Sequence, residues 1–177
     1  MNLGISVHFK HIVIVLSLYF LPQIVWAKVD DDDLKAVYLF RFALLADWSK
    51  TGVNYEYIEY CVTSSSDVSE RLQAIVESKP DRARFHRLPV SSDANVCHIL
   101  FTELNDKEAV AQLRERYPHA LLVGNGIDFV ANGGMIAFIK VRNRIRPLIA
   151  REHVRHTNVL LRSQLLEVSE LYQGGTA

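Results

Sequence analysis

The sequence lacks an excess of charge of either sign. Its 20 lysines and arginines balance 20 aspartates and glutamates over 177 residues. This balance gives no indication of a nucleic-acid-binding protein, because such proteins are usually strongly basic. Internal repeats and low-complexity tracts are also missing, and no linker-like stretch divides the chain. We therefore expect one ordinary globular domain.

The familiar signatures of catalytic sites are missing as well. The sequence has no G-x-S-x-G elbow, no H-E-x-x-H helix, no C-x-x-C pair and no P-loop, and each of these motifs carries a defined chemistry. We therefore expect no enzymatic activity, no catalytic residue and no cofactor. The catalytic alternative is a hydrolase whose nucleophile and base converge from separate strand ends.

Long apolar runs are absent except near the beginning of the chain. Residues 1–27 have the layout of a secretory signal peptide, with an apolar core at 12–21 and with Val25 and Ala27 at the −3 and −1 positions. The core is shorter than the roughly 20 residues that span a bilayer, although an uncleaved signal anchor remains the alternative. We expect residues 28–177 to form an exported, soluble domain without stable membrane insertion.

Segments of strand and helix character alternate along the exported part. Such alternation predicts βαβ crossovers and a single α/β domain, with a mainly parallel sheet, helices on both faces and a C-terminal hairpin plus helix. The expected strands are 55–64, 82–90 (an edge strand), 97–103, 120–125, and 133–141 with 144–150 as a hairpin around Arg142-Asn143. The expected helices are 34–48 capped by Asp33, 66–78 capped by Ser66 or Asp67, 107–117, and one or two helices within 151–172.

Two apolar patterns predict burial. The first helix is apolar on most sides, so we expect it to be buried on most sides, against the core or a second subunit. Near the end of the chain, leucines and a valine recur at helical spacing and predict a buried stripe. Its members are Leu160, Leu161, Leu165, Val168 and Leu171.

The glycine-rich stretch GNGIDFVANGGMI, residues 124–136, follows a predicted buried strand. It lacks the third glycine of a dinucleotide fingerprint, because Phe129 stands there, so a connection that turns the chain is the simpler interpretation. Ligands bind at such strand ends in open α/β sheets. Asn125, Asp128 and Asn132 are therefore candidate residues of a ligand loop.

Two histidines, His153 and His156, stand three residues apart. On a helix both could face one metal ion, but zinc needs a third or fourth ligand and the sequence offers none nearby in the right direction. We expect no metal site and interpret both as exposed or capping residues.

Basic residues crowd the predicted hairpin. The expected positions are Lys140, Arg142, Arg144 and Arg146, with Arg151 following. Solvated charge at the free end of a hairpin is the simpler interpretation. The functional alternative is an electropositive patch that docks on an acidic partner or on anionic lipid headgroups.

The two cysteines lie in predicted core strands. Cys97 precedes His98, but neighbours on a strand point to opposite faces, so these two cannot form a nucleophile and base with each other. Two cysteines in an exported domain favour a disulfide between Cys61 and Cys97, and two buried free thiols are the alternative. His98 is left as a hydrogen-bonded neighbour on the other face.

Five short segments stand in order along nearly all of residues 34–171. They are KAVYLFRFALLADW, EYCV, CHILF, ALLVGNGIDFVANGGMIAFI and LLRSQLLEVSELY. In this order they resemble the motifs of the YfiR-like periplasmic family. The first resembles K-A-x-x-(L/F)-x-x-F-(A/L)-x-(F/Y)-x-x-W, and the next two match l-C-V and C-H-(V/I)-L-(F/Y). The fourth resembles the family segment that ends in G-G-M-I, and the last resembles (I/L)-S-S-x-L-L-x-L-A.

The chain departs from this pattern at two places. Ser49 follows Trp48 where the family usually has proline, and the second hairpin strand reads RIRPLIA instead of R-(V/I)-R-F-E-I-N. Pro147 removes a hydrogen-bond donor from that strand and predicts an edge position.

The resemblance implies a function without catalysis. Proteins of this family are periplasmic and often dimeric, and they hold the periplasmic sensor region of an inner-membrane diguanylate cyclase inactive. They link redox or envelope stress to cyclic di-GMP and biofilm formation. Cys61 and Cys97 fall on family cysteine positions, which implies a structural or redox-sensing disulfide. A periplasmic small-molecule binding or sensing domain is the alternative.

Overall fold

The computed structural model describes residues 30–53, 55–88 and 96–174. The expected signal peptide at residues 1–27 lies outside these ranges. Within them, no helix combines the length and apolar character needed to cross a membrane.

Helices and strands alternate through most of the described chain. The helices are α1 (Asp31–Leu44), α2 (Asp67–Glu77), α3 (Lys107–Arg116), α4 (Gly126–Ala131), α5 (Arg151–Arg155) and α6 (Ser163–Glu167). The strands are β1 (Ala46–Asp47), β2 (Ile58–Val62), β3 (Ala83–Arg87), β4 (Ile99–Phe101), β5 (Leu121–Asn125), β6 (Ile136–Val141), β7 (Arg144–Ile149), β8 (Leu160–Leu161) and β9 (Glu170–Leu171).

Seven of these strands form one sheet in the order β3-β2-β4-β5-β6-β7-β9, and β1 pairs separately with β8. The neighbours from β3 to β6 run parallel, β7 is antiparallel to β6, and β9 is parallel to β7. The crossover through α2 moves one way along the sheet and that through α3 moves the other way. Right-handed crossovers therefore place these helices on opposite faces, and the predicted α/β class is confirmed.

The first helix begins earlier and ends earlier than the sequence predicts. Its N-cap is Asp30, whose carboxylate accepts from the Asp32 amide at 3.3 Å, so the prediction of Asp33 as the cap is wrong. Several aspartates in one turn can each serve the free amides at a helix start. The helix ends at Leu44 because the chain then forms β1, which pairs with the distant β8.

One stripe of α1 is exposed to solvent. Phe42 has no exposed surface and its ring stacks on Phe138 of β6 with centroids 5.9 Å apart. On the other face Val37 is 41% and Leu44 59% exposed. The exposed residues of α1 lie along one stripe, and its other ten residues are buried or half-buried, so within this chain the helix is covered on most sides.

Two local sequence patterns, the cap of α2 and the turn of the hairpin, predicted the structure correctly. Ser66 caps α2 through a capping box with Ser69, and the predicted hairpin joins β6 to β7. Arg142 and Asn143 both have positive φ, 48° and 61°, as the two-residue turns that match strand twist require. Pro147 does not mark the edge of the sheet, because β9 lies outside β7 and pairs with it at Leu148 and Ile149.

The end of the chain is broken into short pieces. Two five-residue helices alternate with two-residue strands where longer helices were predicted. Of the predicted buried stripe only Leu165 is fully buried, whereas Leu160, Val168 and Leu171 are 43–46% exposed. Pairing with β1 and β7 fixes this segment, so its helical spacing does not decide which side chains are covered.

Candidate functional site

A disulfide joins β2 to the residues that lead into β4. Cys61 and Cys97 have Cα atoms 5.8 Å apart and are 36 residues apart in sequence. Both are buried, and they are the two cysteines of the chain. Cys97 is therefore bonded to Cys61, and the predicted bridge is present in the structure.

His98 has a different environment from its neighbour Cys97. The Glu59 amide donates to His98 Nδ1 at 3.0 Å, and the His98 amide donates to the Glu59 carbonyl at 2.8 Å. The ring is fully buried, and burial lowers its pKa to about 4, because desolvation disfavours the charged form. The rings of Trp48 and Tyr55 stand edge-on to it, with centroids 5.1 and 4.4 Å away. His98 is thus the hydrogen-bonded core residue that the sequence predicts.

Four basic side chains surround the hairpin and all are exposed. Two are paired, since Lys140 Nζ lies 2.7 Å from Asp31 and Arg146 3.0 Å from Glu170. Among the described residues, no ion pair involves the other two, Arg142 and Arg144.

The hairpin presents two different faces. Lys140 turns towards α1, where it meets Asp31. Arg146 is opposite Ile139, and Arg144 is opposite Val141. Paired residues share a face of the sheet. This outer face carries a shallow groove, lined by Ile139, Val141, Arg142, Arg144, Arg146 and Glu170. We call it the hairpin groove; it combines an apolar floor with a basic rim.

The glycine-rich segment packs around Phe129. Residues predicted as a connection form the short helix α4, and Phe129 is fully buried. A Cβ added at Gly124 would lie 2.6 Å from Phe129 Cδ2, and one added at Gly134 would overlap the same ring. These glycines therefore make room for an aromatic side chain.

The three candidate ligand-loop residues have different individual surroundings. Asn125 occupies the N-cap position of α4 without a side-chain capping hydrogen bond, and Asp128 is exposed on the helix. Asn132 Nδ2 donates to the Asn105 carbonyl at 2.7 Å. Asn132 therefore has a structural contact, and a ligand site formed by these three residues stays a prediction.

The two C-terminal histidines have separate surroundings. His153 Nδ1 lies 2.7 Å from the Gly134 carbonyl, and His156 is exposed at the end of α5. In the part of the chain that the structure describes, no group of three or more His, Cys, Asp or Glu residues could hold a metal ion.

The chain matches the model of a known protein family. A family model described as YfiR/HmsC-like matches residues 32–170, from the first turn of α1 to the beginning of β9. No curated protein matches the chain.

Proposed function

Because the chain belongs to the YfiR/HmsC-like family, we propose that it represses an inner-membrane diguanylate cyclase by binding the cyclase's periplasmic region. In this proposal the chain is exported to the periplasm after cleavage of residues 1–27. It links the state of the envelope to cyclic di-GMP and biofilm formation. The observation that carries the proposal is the family match over 139 of the 177 residues (170 − 32 + 1).

The chemistry of the most reactive residue types supports regulation over hydrolysis. Cys97 is bonded to Cys61, and His98 Nδ1 already accepts from the Glu59 amide. Neither can act as a nucleophile or general base while these contacts persist. The strongest candidates for catalysis therefore have structural tasks.

The hairpin groove is our proposed docking surface for the cyclase. Arg142 and Arg144 are exposed and lack ion pairs among the described residues, so their charges are available to carboxylates of a partner. Ile139 and Val141 add half-buried apolar surface beneath them. A partly apolar patch with a charged rim has the composition of a non-obligate interface.

A homodimer is also part of the proposal. The exposed apolar side chains Val37 and Leu44 lie on one side of α1, and a second copy is the occupant we expect there. Sedimentation velocity at several concentrations measures the oligomeric state. A monomer throughout would contradict this part and leave the regulatory proposal standing.

Gene deletion with complementation tests the function. Deletion is expected to raise cyclic di-GMP and surface attachment, and the wild-type gene is expected to restore both. The Arg142→Glu/Arg144→Glu variant is expected to leave them high, because reversed charges repel an acidic partner. Lys79→Glu/Lys107→Glu is the matched control, since both lysines are exposed and lie away from the hairpin.

Two outcomes would contradict different parts of the proposal. No change on deletion, in a strain whose neighbouring gene encodes a membrane-bound diguanylate cyclase, would refute the regulatory function. Restoration by the Arg142→Glu/Arg144→Glu variant would refute only the docking surface.

A further inference from the structure

His98 connects two strands through side chain and main chain together. Its ring accepts from the Glu59 amide and its own amide donates to the Glu59 carbonyl. These bonds lie just before the register in which Tyr60 of β2 meets Ile99 of β4. Together they close the end of the β2–β4 pair that lies nearest the disulfide.

The Nδ1 bond fixes the protonation state of the ring. An amide nitrogen can only donate, so Nδ1 must be an acceptor and the proton of the neutral ring must lie on Nε2. A second proton on Nδ1 would leave the Nδ1–H and the Glu59 N–H as two donors facing each other without an acceptor. It would also place a positive charge in a fully buried site. The burial that lowers the pKa of His98 acts in the same direction.

We propose that His98 is an acid-operated latch. While its ring is neutral it holds the beginning of β2 against the residues that lead into β4, and protonation breaks the Glu59 contact and opens this end of the sheet. The opened region comprises Tyr55, Glu59 and His98, beside the buried disulfide.

Other titratable groups around the latch have contacts of their own. The Glu59 carboxylate lies 2.5 Å from His86 Nε2 on the edge strand. The Tyr55 ring contacts the His98 ring edge-on, and Tyr55 is 40% exposed. Trp48 Nε1 donates to the His119 carbonyl at 3.0 Å. The ring of His119 in turn has its Nδ1 3.1 Å from the Thr157 carbonyl. None of these described contacts places a carboxylate beside the His98 ring, where it would stabilise an imidazolium.

The direction of the pH effect follows from proton linkage. In the open form His98 is solvated and titrates near its ordinary pKa of about 6.5, whereas in the closed form burial lowers this pKa to about 4. Between these values the open form binds one more proton than the closed form, so acid favours opening. Between these two pKa values the opening equilibrium rises by up to about tenfold per pH unit, and it rises about 60-fold from pH 7 to about pH 4.5.

The proposal extends the proposed function without depending on it. An exported protein is exposed to the pH of its surroundings. A latch beside the disulfide would let low pH open the region in which the disulfide connects β2 to the beginning of β4. The latch itself is a property of the folded chain and can be measured on the purified domain, residues 28–177, without any partner.

Hydrogen exchange of the Glu59 amide tests the latch directly. Its protection factor, corrected for intrinsic exchange, is expected to fall about 60-fold between pH 7 and about pH 4.5. The amide of Val123, in the central strand β5, is expected to keep its protection and so to show that the opening is local. Equal loss of protection at both amides would overturn the proposal.

Two variants assign the effect to one histidine. His98→Asn places an amide oxygen near the position of Nδ1 but cannot titrate, so the pH dependence at Glu59 should disappear. His86→Asn removes the other nearby imidazole and should leave the pH dependence in place. Persistence in His98→Asn or loss in His86→Asn would each contradict the assignment.

Nitrogen-15 spectra of the wild-type imidazoles keep the test decisive if His98→Asn fails to fold. They are expected to show His98 with its proton on Nε2 at neutral pH. They should also show that His98 gains its second proton over the same pH range in which hydrogen exchange shows the Glu59 amide losing protection. A proton on Nδ1 at neutral pH, or titration without loss of protection, would refute the latch.

Discussion

Single residues explain why the glycine-rich segment has its composition. Phe129 occupies the space that side chains at Gly124 and Gly134 would need. Phe129 stands where a dinucleotide loop would need its third glycine, and the same ring is the reason for the flanking glycines. Their packing role could not be predicted, because it depends on how a six-residue helix folds back between them.

Gly134→Ala should destabilise the domain by about 1–3 kcal/mol, because the new methyl group overlaps the Phe129 ring in a filled core. Urea unfolding followed by circular dichroism gives the free energy of unfolding. Gly174→Ala is the control, since an added Cβ there meets only Tyr172 Cε1 at 3.9 Å, and it should change stability by less than about 0.5 kcal/mol. Equal stability of the two variants would show that the ring does not need this glycine.

At the scale of helices and strands, features encoded by neighbouring residues were predicted correctly. Features that depend on pairing with residues far along the chain were not. The Ser66 cap of α2 and the Arg142-Asn143 turn are encoded within a few residues, and both were predicted. The predicted end of α1 was wrong, and the helices predicted after residue 150 are shortened by strands. The reason is that β1, β8 and β9 are two-residue strands defined by partners far along the chain. Apolar spacing carries no information about such pairing.

The disulfide is the strongest single constraint between elements, because it ties β2 to the entrance of β4. Replacing both cysteines, Cys61→Ala/Cys97→Ala, should lower the free energy of unfolding by about 3–4 kcal/mol on the chain-entropy estimate for a bridge of this span. Chemical denaturation of the variant, the oxidised wild type and the reduced wild type measures the effect. The reduced protein should resemble the variant, and an unchanged midpoint in both would contradict this role.

For the whole molecule, the sequence predicted the fold class and the paired cysteines better than the surface. Lys140 and Arg146 belong to the predicted basic patch but are engaged by Asp31 and Glu170, so the patch that remains for a partner centres on Arg142 and Arg144. Ion pairs between residues more than 20 positions apart require the tertiary structure. The identity of a partner depends on a second molecule, which one sequence does not describe.

The proposed export predicts a defined first residue of the mature chain. Mass spectrometry of the protein from the periplasmic fraction should find Lys28 as the first residue, because Val25 and Ala27 suit cleavage after position 27. Ala27→Arg is expected to block cleavage and retain the full-length mass, whereas Gln23→Asn should be processed normally. Wild-type protein that keeps residues 1–27 would show that the segment is an anchor.

The pairing of β1 with β8, which joins Ala46 to Leu161, has a consequence in time. A chain that crosses a membrane from its N-terminus delivers Cys61 and Cys97 long before β8 and β9, so oxidation of the thiols can precede completion of the sheet. Closure of the long loop between β1 and β8 must wait for almost the whole chain, and contacts of such high sequence separation slow folding. In an exported chain, as proposed, we expect the bridge to form on an unfinished protein and to hold β2 next to the beginning of β4 before the remaining strands have crossed the membrane.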